Sequence, residues 1–131
     1  MRALVIDDSR AMRRIVGTIL EDFGYEVRQA GDGRQALDLM QEGAAQDWVP
    51  DLCCIDWNMP VMDGLQFVFA VRANPAHRQV TLMMVTTESE TGQIVKALAA
   101  GAHEYLIKPF TADAMRDKLA LLGLLPEEVT A

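Results

Sequence analysis

Short runs of hydrophobic residues alternate along the chain with longer segments in which hydrophobic positions recur every three or four residues. Several of the runs are continuous, as expected for strands that are buried on both faces of a sheet. The five candidate strands cover residues 3–6, 25–30, 52–55, 82–85 and 105–107. Alternating strands and helices are typical of βαβ units, so we predict an α/β fold with a parallel sheet.

Hydrophobic positions at helical spacing predict one helix after each strand. Gly24 is expected to end the first helix. The last helix has the clearest start, because Thr111 is a favourable N-cap residue and Phe110 and Met115 occupy the two positions of a hydrophobic staple. The hydrophobic stripe of the first helix consists of Met12, Ile15, Val16, Ile19, Leu20 and Phe23.

The composition indicates one globular domain, since half of the 131 residues are hydrophobic. We predict a single domain over residues 1–131, with a core from about 3 to 122 and a short acidic tail over 123–131. Its 12 Lys and Arg against 19 Asp and Glu give a net charge of −7, which disfavours binding to nucleic acid. No run approaches the roughly 20 apolar residues of a membrane span. We therefore expect a monomer that binds neither nucleic acid nor membrane.

The two cysteines, Cys53 and Cys54, are neighbours in a candidate strand, where successive side chains point to opposite faces. A strain-free disulfide between them is not expected. The four apolar residues that precede the acidic pair Asp7-Asp8 are too few for a signal peptide. Together these features predict a reduced, cytoplasmic protein.

Polar side chains with complementary chemistry follow the candidate strands. Asp7 and Asp8 come after the first strand, Asp56 after the third, Thr86 after the fourth and Lys108 after the fifth. Each has an ordinary explanation when taken singly, such as a solvated turn residue or a helix cap. Their joint placement is different, because the carboxyl ends of parallel strands meet at one edge of the sheet. We therefore predict a functional site there.

The charges of this predicted site suit a divalent cation. Three carboxylates, one divalent ion and the ammonium of Lys108 sum to zero before any phosphoryl group arrives. Mg²⁺ prefers oxygen ligands and is commonly held by one or two carboxylates together with phosphate oxygens. A carboxylate can also act as a nucleophile toward phosphorus, which gives an aspartyl phosphate.

Four separate motifs carry a family resemblance: Val-Ile-Asp-Asp-Ser at 5–9, Asp-Trp-Asn-Met-Pro-Val-Met-Asp-Gly at 56–64, Val-Thr at 85–86 and Gly-Ala-His-Glu-Tyr-Leu-Ile-Lys-Pro-Phe at 101–110. With these motifs the sequence resembles response-regulator receiver domains, most closely the stand-alone CheY-like type, from about residue 3 to 122. The resemblance implies a flavodoxin-like, doubly wound sheet of five parallel strands in the order 2-1-3-4-5, with five helices.

The resemblance also implies a role for each residue of the site. Asp56 would accept a phosphoryl group from the phosphohistidine of a sensor histidine kinase or a phosphotransfer protein. Asp8, Asp56 and the backbone carbonyl of Asn58 would bind Mg²⁺, and Asp7 would act through water. Beyond its own phosphorylation and dephosphorylation, the protein is expected to have no enzymatic activity.

The resemblance further implies that Thr86 and Tyr105 form a switch, in which Thr86 moves toward the phosphoryl oxygens and Tyr105 turns inward. A downstream protein would then bind the face of helix 4, strand 5 and helix 5. Thr87 departs from the family, which most often has alanine there. Asn58 and Glu88 resemble residues of regulators with a short-lived phosphoryl group, whereas the bulk of Thr87 is expected to lengthen the lifetime.

Three other functions share part of this pattern. Aspartate-based phosphatases of the haloacid-dehalogenase type need a second Asp two positions after the nucleophile, where this chain has Asn58. A flavodoxin relative would have to bind a phosphate at the Asp7-Asp8 loop, which would repel it. A phosphorylation-independent pseudo-receiver that only docks partners is the remaining alternative. His77 and His103 are isolated and are expected in surface or loop positions rather than at zinc.

Overall fold

The structure is a computed structural model that describes residues 1–126, without the side chains of residues 44 and 45. In this part of the chain five strands alternate with five α-helices. The strands are β1 (Arg2–Ile6), β2 (Glu26–Ala30), β3 (Leu52–Ile55), β4 (Thr81–Thr86) and β5 (Glu104–Ile107). The α-helices are α1 (Arg10–Asp22), α2 (Gly33–Ala45), α3 (Gly64–Ala73), α4 (Thr91–Ala100) and α5 (Ala112–Leu121), and a 3₁₀ helix (Pro75–His77) precedes β4.

All four strand pairs are parallel, and the strand order is 2-1-3-4-5, which confirms the predicted fold. The predicted strands are all present, with ends that differ by at most one residue. Tyr25 lies just before β2, and β4 includes Thr81 and Thr86. Gly24 and Gly101 adopt φ values of 99° and 126°, a conformation that glycine tolerates and that ends α1 and α4.

Two hydrophobic cores cover the two faces of the sheet. Cys53 and Cys54 show the division, since both are free and fully buried but pack into different cores. One core joins the sheet to α2, α3 and α4 through residues such as Phe67. The other joins it to α1 and α5 through residues such as Leu20 and Leu119. Because both faces are buried, side-chain chemistry that needs solvent has to lie at the ends of the strands.

Side-chain caps start several helices close to the carboxyl edge of the sheet. Ser9 accepts a hydrogen bond from the backbone N–H of Met12 at the start of α1, and Thr111 caps α5 as predicted. Asp63 and Gln66 form a reciprocal capping box at the start of α3. These caps fix the loops that leave the ends of the strands.

The C-terminal segment packs against the core as far as the structure describes it. Gly123 adopts a φ of 71° after α5, and the backbone carbonyl of Leu124 accepts a hydrogen bond from the Tyr25 hydroxyl. Of the predicted acidic tail, residues 127–131 lie outside the described residues. Within residues 1–126, every helix is too short or too polar to traverse a lipid bilayer.

Candidate active site at the carboxyl edge of the sheet

Asp7 and Asp8 follow β1 and differ in their exposure. Asp7 is only 4% exposed, whereas Asp8 faces solvent. The Asp7 carboxylate accepts a hydrogen bond of 2.9 Å from the backbone N–H of Ser9, and its backbone carbonyl accepts one from the Arg13 guanidinium. The loop therefore holds the Asp7 carboxylate inside the site and places the Asp8 carboxylate at the solvent-exposed entrance of the site.

Asp56 ends the buried strand β3 beside this pair. Its side chain is nearly buried, and one oxygen accepts a 2.8 Å hydrogen bond from the backbone N–H of Trp57. Burial raises the pKa of Asp56 above its ordinary value of 3.8, although the Thr86 hydroxyl and the Lys108 ammonium act in the opposite direction. Carboxylate oxygens of Asp7, Asp8 and Asp56 lie within 4.8 Å of one another. The three predicted acidic residues therefore form one cluster.

Lys108 extends from the end of β5 into the same cluster. Its Nζ lies 2.8 Å from Asp7 Oδ2 and 3.7 Å from Asp56 Oδ2, and its side chain is almost fully buried. Its ammonium contacts two of the three carboxylates, so the cluster keeps an excess of negative charge. Such an excess favours binding of a further cation.

Thr86 is fully buried at the end of β4. Its hydroxyl oxygen accepts hydrogen bonds from the backbone N–H groups of Trp57 at 3.3 Å and Glu88 at 3.4 Å. The first bond joins Thr86 to the residue that follows Asp56, and the second joins it to its own loop. The hydroxyl thus lies between the acidic cluster and the β4–α4 loop.

Tyr105 occupies an inward position in β5. The residue is 7% exposed, and its hydroxyl donates a 2.7 Å hydrogen bond to the backbone carbonyl of Glu88. Burial raises the pKa of Tyr105 above its ordinary value of 10.0. Thr87 is exposed and Glu88 half-buried on the loop between them. The two switch residues are therefore connected through Glu88, while movement of either stays a prediction.

The loop from Trp57 to Asp63 is fixed at both ends. Gly64 has no room for a side chain, since a Cβ there would lie 2.3 Å from the carbonyl oxygen of Asp56. The backbone N–H of Gly33, at the start of α2, donates a 3.1 Å hydrogen bond to the carbonyl of Met62. No local sequence pattern indicates this attachment, because its two residues lie 29 positions apart.

Asn58 lies exposed in this loop, two residues after Asp56. Ligation of a metal by its backbone carbonyl stays a prediction.

The histidines have separate environments outside the acidic cluster. The surface or loop position predicted for His77 is wrong, because the residue belongs to the 3₁₀ helix and is 4% exposed beneath α2 and α3. His103 lies in an exposed turn, where its Nδ1 accepts a hydrogen bond from the backbone N–H of Leu82. Burial and the neighbouring Arg72 guanidinium lower the pKa of His103 below its ordinary value.

A comparison with known families gives a match to the response regulator receiver domain over residues 3–120. The chain belongs to the response-regulator receiver family. As a receiver domain it takes part in two-component signal transduction, and its resemblance to CheY-like regulators is confirmed.

Curated relatives of this receiver domain include chemotaxis proteins. The chain is 38% identical to the chemotaxis protein CheY of Pseudomonas aeruginosa over 120 residues, which cover 91% of this chain and 93% of the relative. It is 37% identical to the chemotaxis protein CheY1 of Helicobacter pylori over 123 residues, which cover 93% and 96% of the two chains. The match thus extends over nearly the whole of each protein.

Solved structures share the receiver fold. Chemotaxis protein CheY4 of Vibrio cholerae has a TM-score of 0.80 and 38% identity, covering 92% of this chain and 96% of the other. A CheY-like receiver domain protein of Methanospirillum hungatei has a TM-score of 0.77 and 27% identity, covering 92% and 91%. These likenesses favour a phosphorylated regulator over the pseudo-receiver alternative.

The acidic cluster fits the Mg²⁺ that receiver domains typically bind. Its three carboxylates offer only oxygen ligands, and their surplus of negative charge over Lys108 calls for a hard cation. The exposed carboxylate of Asp8 gives a hydrated ion an approach from solvent. The residues present are therefore suited to this metal.

Proposed function

We propose that Asp56 is the phosphoacceptor of this receiver domain. One carboxylate oxygen of Asp56 attacks the phosphorus of a phosphohistidine, the P–N bond breaks, and the imidazole leaves with the bonding electron pair. The product is an acyl phosphate on Asp56. The observation that supports this role is that Asp56 directly follows the buried strand β3, with its Oδ2 3.7 Å from the Lys108 ammonium that also pairs with Asp7.

The neighbouring side chains would hold the transferred oxygens. Lys108 supplies a positive charge, and Asp7 keeps its Nζ in the site through the 2.8 Å ion pair. Thr86 supplies a hydroxyl donor once it turns from the backbone N–H groups that it now faces. Both groups act where charge develops on the phosphoryl oxygens, which is where electrostatic stabilisation is most effective.

Mg²⁺ would be held by Asp8, Asp56 and the backbone carbonyl of Asn58, with Asp7 acting through water. When bound, it would neutralise negative charge on the carboxylates and the incoming phosphoryl oxygens. Without a cation, the acidic cluster would repel the phosphodonor, since Lys108 offsets only one of the three carboxylates.

Hydrolysis of the acyl phosphate would end the signal. Water must attack in line with the bond to Asp56, so side chains at the entrance control the rate. We assign this role to Asn58, Thr87 and Glu88, which lie on the two loops that leave β3 and β4. The protein thus catalyses only its own phosphorylation and dephosphorylation.

The phosphoryl group would come from a sensor histidine kinase or a phosphotransfer protein, and the output would be a protein that binds the α4–β5–α5 face. Hydrophobic side chains support this surface: Val95 and Leu98 of α4 and Ile107 of β5 are 59%, 43% and 40% exposed. The two free thiols are consistent with a reducing compartment, which supports the cytoplasm as its location.

Labelling with a small phosphodonor tests the acceptor directly. Incubation with acetyl phosphate and Mg²⁺ should add one phosphoryl mass that hydroxylamine removes. Asp56→Asn should abolish the addition, and Asp38→Asn, which changes an exposed aspartate of α2, should leave it intact. Phosphorylation that persists in Asp56→Asn would show that the acceptor is a different residue.

A further inference from the structure

A cavity of about 170 Å³ lies between α2, α3 and the 3₁₀ helix. The residues of the acidic cluster and Lys108 do not line this cavity, so it is separate from the proposed phosphorylation site. Its walls are formed by Arg34, Leu37, Gln41, Ala70, Asn74 and His77.

His77 is the unusual member of this wall. It is only 4% exposed, and its Nδ1 has no hydrogen-bond partner in the part of the chain that the structure describes. Leaving a buried polar group unpaired is unfavourable, and such groups are uncommon in native proteins. The imidazole therefore has hydrogen-bonding capacity that the protein itself does not use.

The polar groups around the cavity include hydrogen-bond donors from three side chains. Arg34 can only donate, and its ion pair with Asp38 is long, at 3.4 Å, and exposed on both sides. The Oδ1 of Asn74 already accepts a hydrogen bond from the backbone N–H of Ala76, which leaves the amide NH₂ of Asn74 as a donor. Gln41 adds a second carboxamide. A ligand that supplies negatively charged acceptor oxygens matches this set.

The remaining walls and the volume define the rest of the ligand. Leu37 and Ala70 are half-buried and present hydrocarbon to the cavity. The volume is close to the roughly 150 Å³ that accommodates a benzene molecule in a protein cavity. An inorganic anion would leave the apolar walls without a partner, whereas a small organic carboxylate would satisfy both kinds of wall.

We propose that this cavity binds a small organic monocarboxylate with a body of about the size of a benzene ring. The carboxylate lies toward Arg34 and Asn74, the body packs against Leu37 and Ala70, and the His77 imidazole forms part of the wall. The site is independent of Asp56 and goes beyond the proposed signalling function.

Titration of ¹⁵N-labelled protein with benzoate tests the proposal by NMR. The backbone amide signals of Leu37, Ala70 and His77 should shift and saturate in the millimolar range or below. Benzamide, which has the same shape without the charge, should bind at least about tenfold more weakly. Phosphate should produce no saturable shift at Leu37.

Variants distinguish specific binding of benzoate in the cavity from nonspecific electrostatic attraction of anions to the protein. Arg34→Gln should weaken benzoate binding by roughly three- to tenfold, and Arg116→Gln, an exposed arginine of α5, should leave it unchanged. Gln41→Glu, which adds a negative charge at the cavity without removing any core side chain, should also weaken binding. Asp56→Asn should bind benzoate like the parent, so the result does not depend on the phosphoacceptor.

Three results would overturn the proposal. The first is the absence of saturable shifts at the cavity residues, and the second is equal affinity for benzamide and benzoate. The third is unchanged benzoate affinity in both Arg34→Gln and Gln41→Glu.

Discussion

The Tyr105 hydroxyl donates a 2.7 Å hydrogen bond to the backbone carbonyl of Glu88 and so joins β5 to the loop that follows Thr86. The backbone N–H of the same Glu88 donates to the Thr86 hydroxyl at 3.4 Å. Two hydrogen bonds through one residue thus connect Thr86 to Tyr105 of β5. We therefore predict that a displacement of Thr86 would break its hydrogen bond to the Glu88 N–H and so shift the carbonyl to which Tyr105 donates.

Thr86→Ala should separate phosphorylation from output. The variant keeps Asp56, Lys108 and the acidic cluster, so it should still accept a phosphoryl group. Beryllofluoride with Mg²⁺ should shift the amide signals of Val95 and Ile107 in the parent but not in the variant. Allosteric coupling of this kind is commonly worth about 1–3 kcal/mol, which corresponds to a roughly five- to hundredfold change in affinity for a target.

The matched control for this experiment is Thr81→Ala, which makes the same substitution at the other end of β4. It should respond to beryllofluoride like the parent. Equal shifts at Val95 and Ile107 in the parent and in Thr86→Ala would show that Thr86 does not couple the site to the surface.

Trp57 should report the binding of Mg²⁺ through its fluorescence. Its indole is 7% exposed, and its backbone N–H donates to both Asp56 and Thr86, so a cation at the cluster alters its surroundings. We expect a saturable change in emission in the millimolar range, because a site with few protein ligands binds weakly. Trp57→Phe, which retains the buried Trp48, should abolish the change. A flat titration of the parent protein would contradict the metal site.

Thr87→Ala should shorten the lifetime of the aspartyl phosphate. Thr87 is exposed directly after Thr86, and we expect its β-branched side chain to narrow the approach of water to the acceptor. Small changes in attack geometry alter rates by up to about a hundredfold. The measurement is the decay of labelled protein at fixed Mg²⁺, with Thr91→Ala at the start of α4 as the control. If the aspartyl phosphate of Thr87→Ala decays no faster than that of the parent, Thr87 does not restrict the access of water.

Asp56→Asn should stabilise the fold at neutral pH. Burial raises the pKa of Asp56 above 3.8, so the folded protein holds this proton more tightly than the unfolded chain does. The contribution of Asp56 to stability is therefore largest below its ordinary pKa and is lost as the pH rises through the raised value. The asparagine of the variant carries no charge at any pH. The stability of the variant relative to the parent should therefore fall toward pH 3.8, where Asp56 of the parent becomes protonated.

Urea unfolding of the parent and the variant at neutral and acidic pH measures this effect. Asp117→Asn, which changes an exposed aspartate of α5, should give little difference at either pH. A variant that is less stable than the parent at neutral pH would show that the contacts of Asp56 outweigh its desolvation.

Val61→Asn should stabilise the protein by relieving backbone strain. Val61 adopts a φ of 68°, which is unfavourable for a β-branched residue. Its side chain is 81% exposed, so packing does not offset the cost of this conformation. That conformation costs about 1–2 kcal/mol per residue, and asparagine tolerates it better. We expect the free energy of unfolding to rise by about 1 kcal/mol. Val49→Asn, at an exposed valine outside the left-handed region, should show no gain.

The pattern of hydrophobic residues was sufficient to predict the sheet. Continuous runs identified β3 and β4 because both faces of a parallel strand are buried, and the adjacency of Cys53 and Cys54 predicted their opposite faces correctly. The strand ends likewise placed Asp56 and Lys108 together, since parallel strands bring their carboxyl ends to one edge. The strand order itself came from the family resemblance.

Contacts between distant loops were beyond the reach of the sequence pattern. The burial of His77 depends on how α2 and α3 pack over the 3₁₀ helix, and no local period records that packing. The hydrogen bond from Gly33 to Met62 and the inward position of Tyr105 likewise depend on tertiary geometry. The sequence predicted that the acidic residues and Lys108 would lie together, but not the contacts that orient them.

The ion pair between Asp7 and Lys108 joins residues that are 101 positions apart in the chain. Its members directly follow the first and the last strand, and Asp56 directly follows β3, which lies between β1 and β4 in the sheet. A nascent or partly folded chain that has not yet paired β5 therefore lacks the complete proposed acceptor site. Under the proposed function, only fully folded molecules could be phosphorylated by a kinase. Incompletely folded molecules would therefore not consume phosphoryl groups from the pathway and would not produce a false signal.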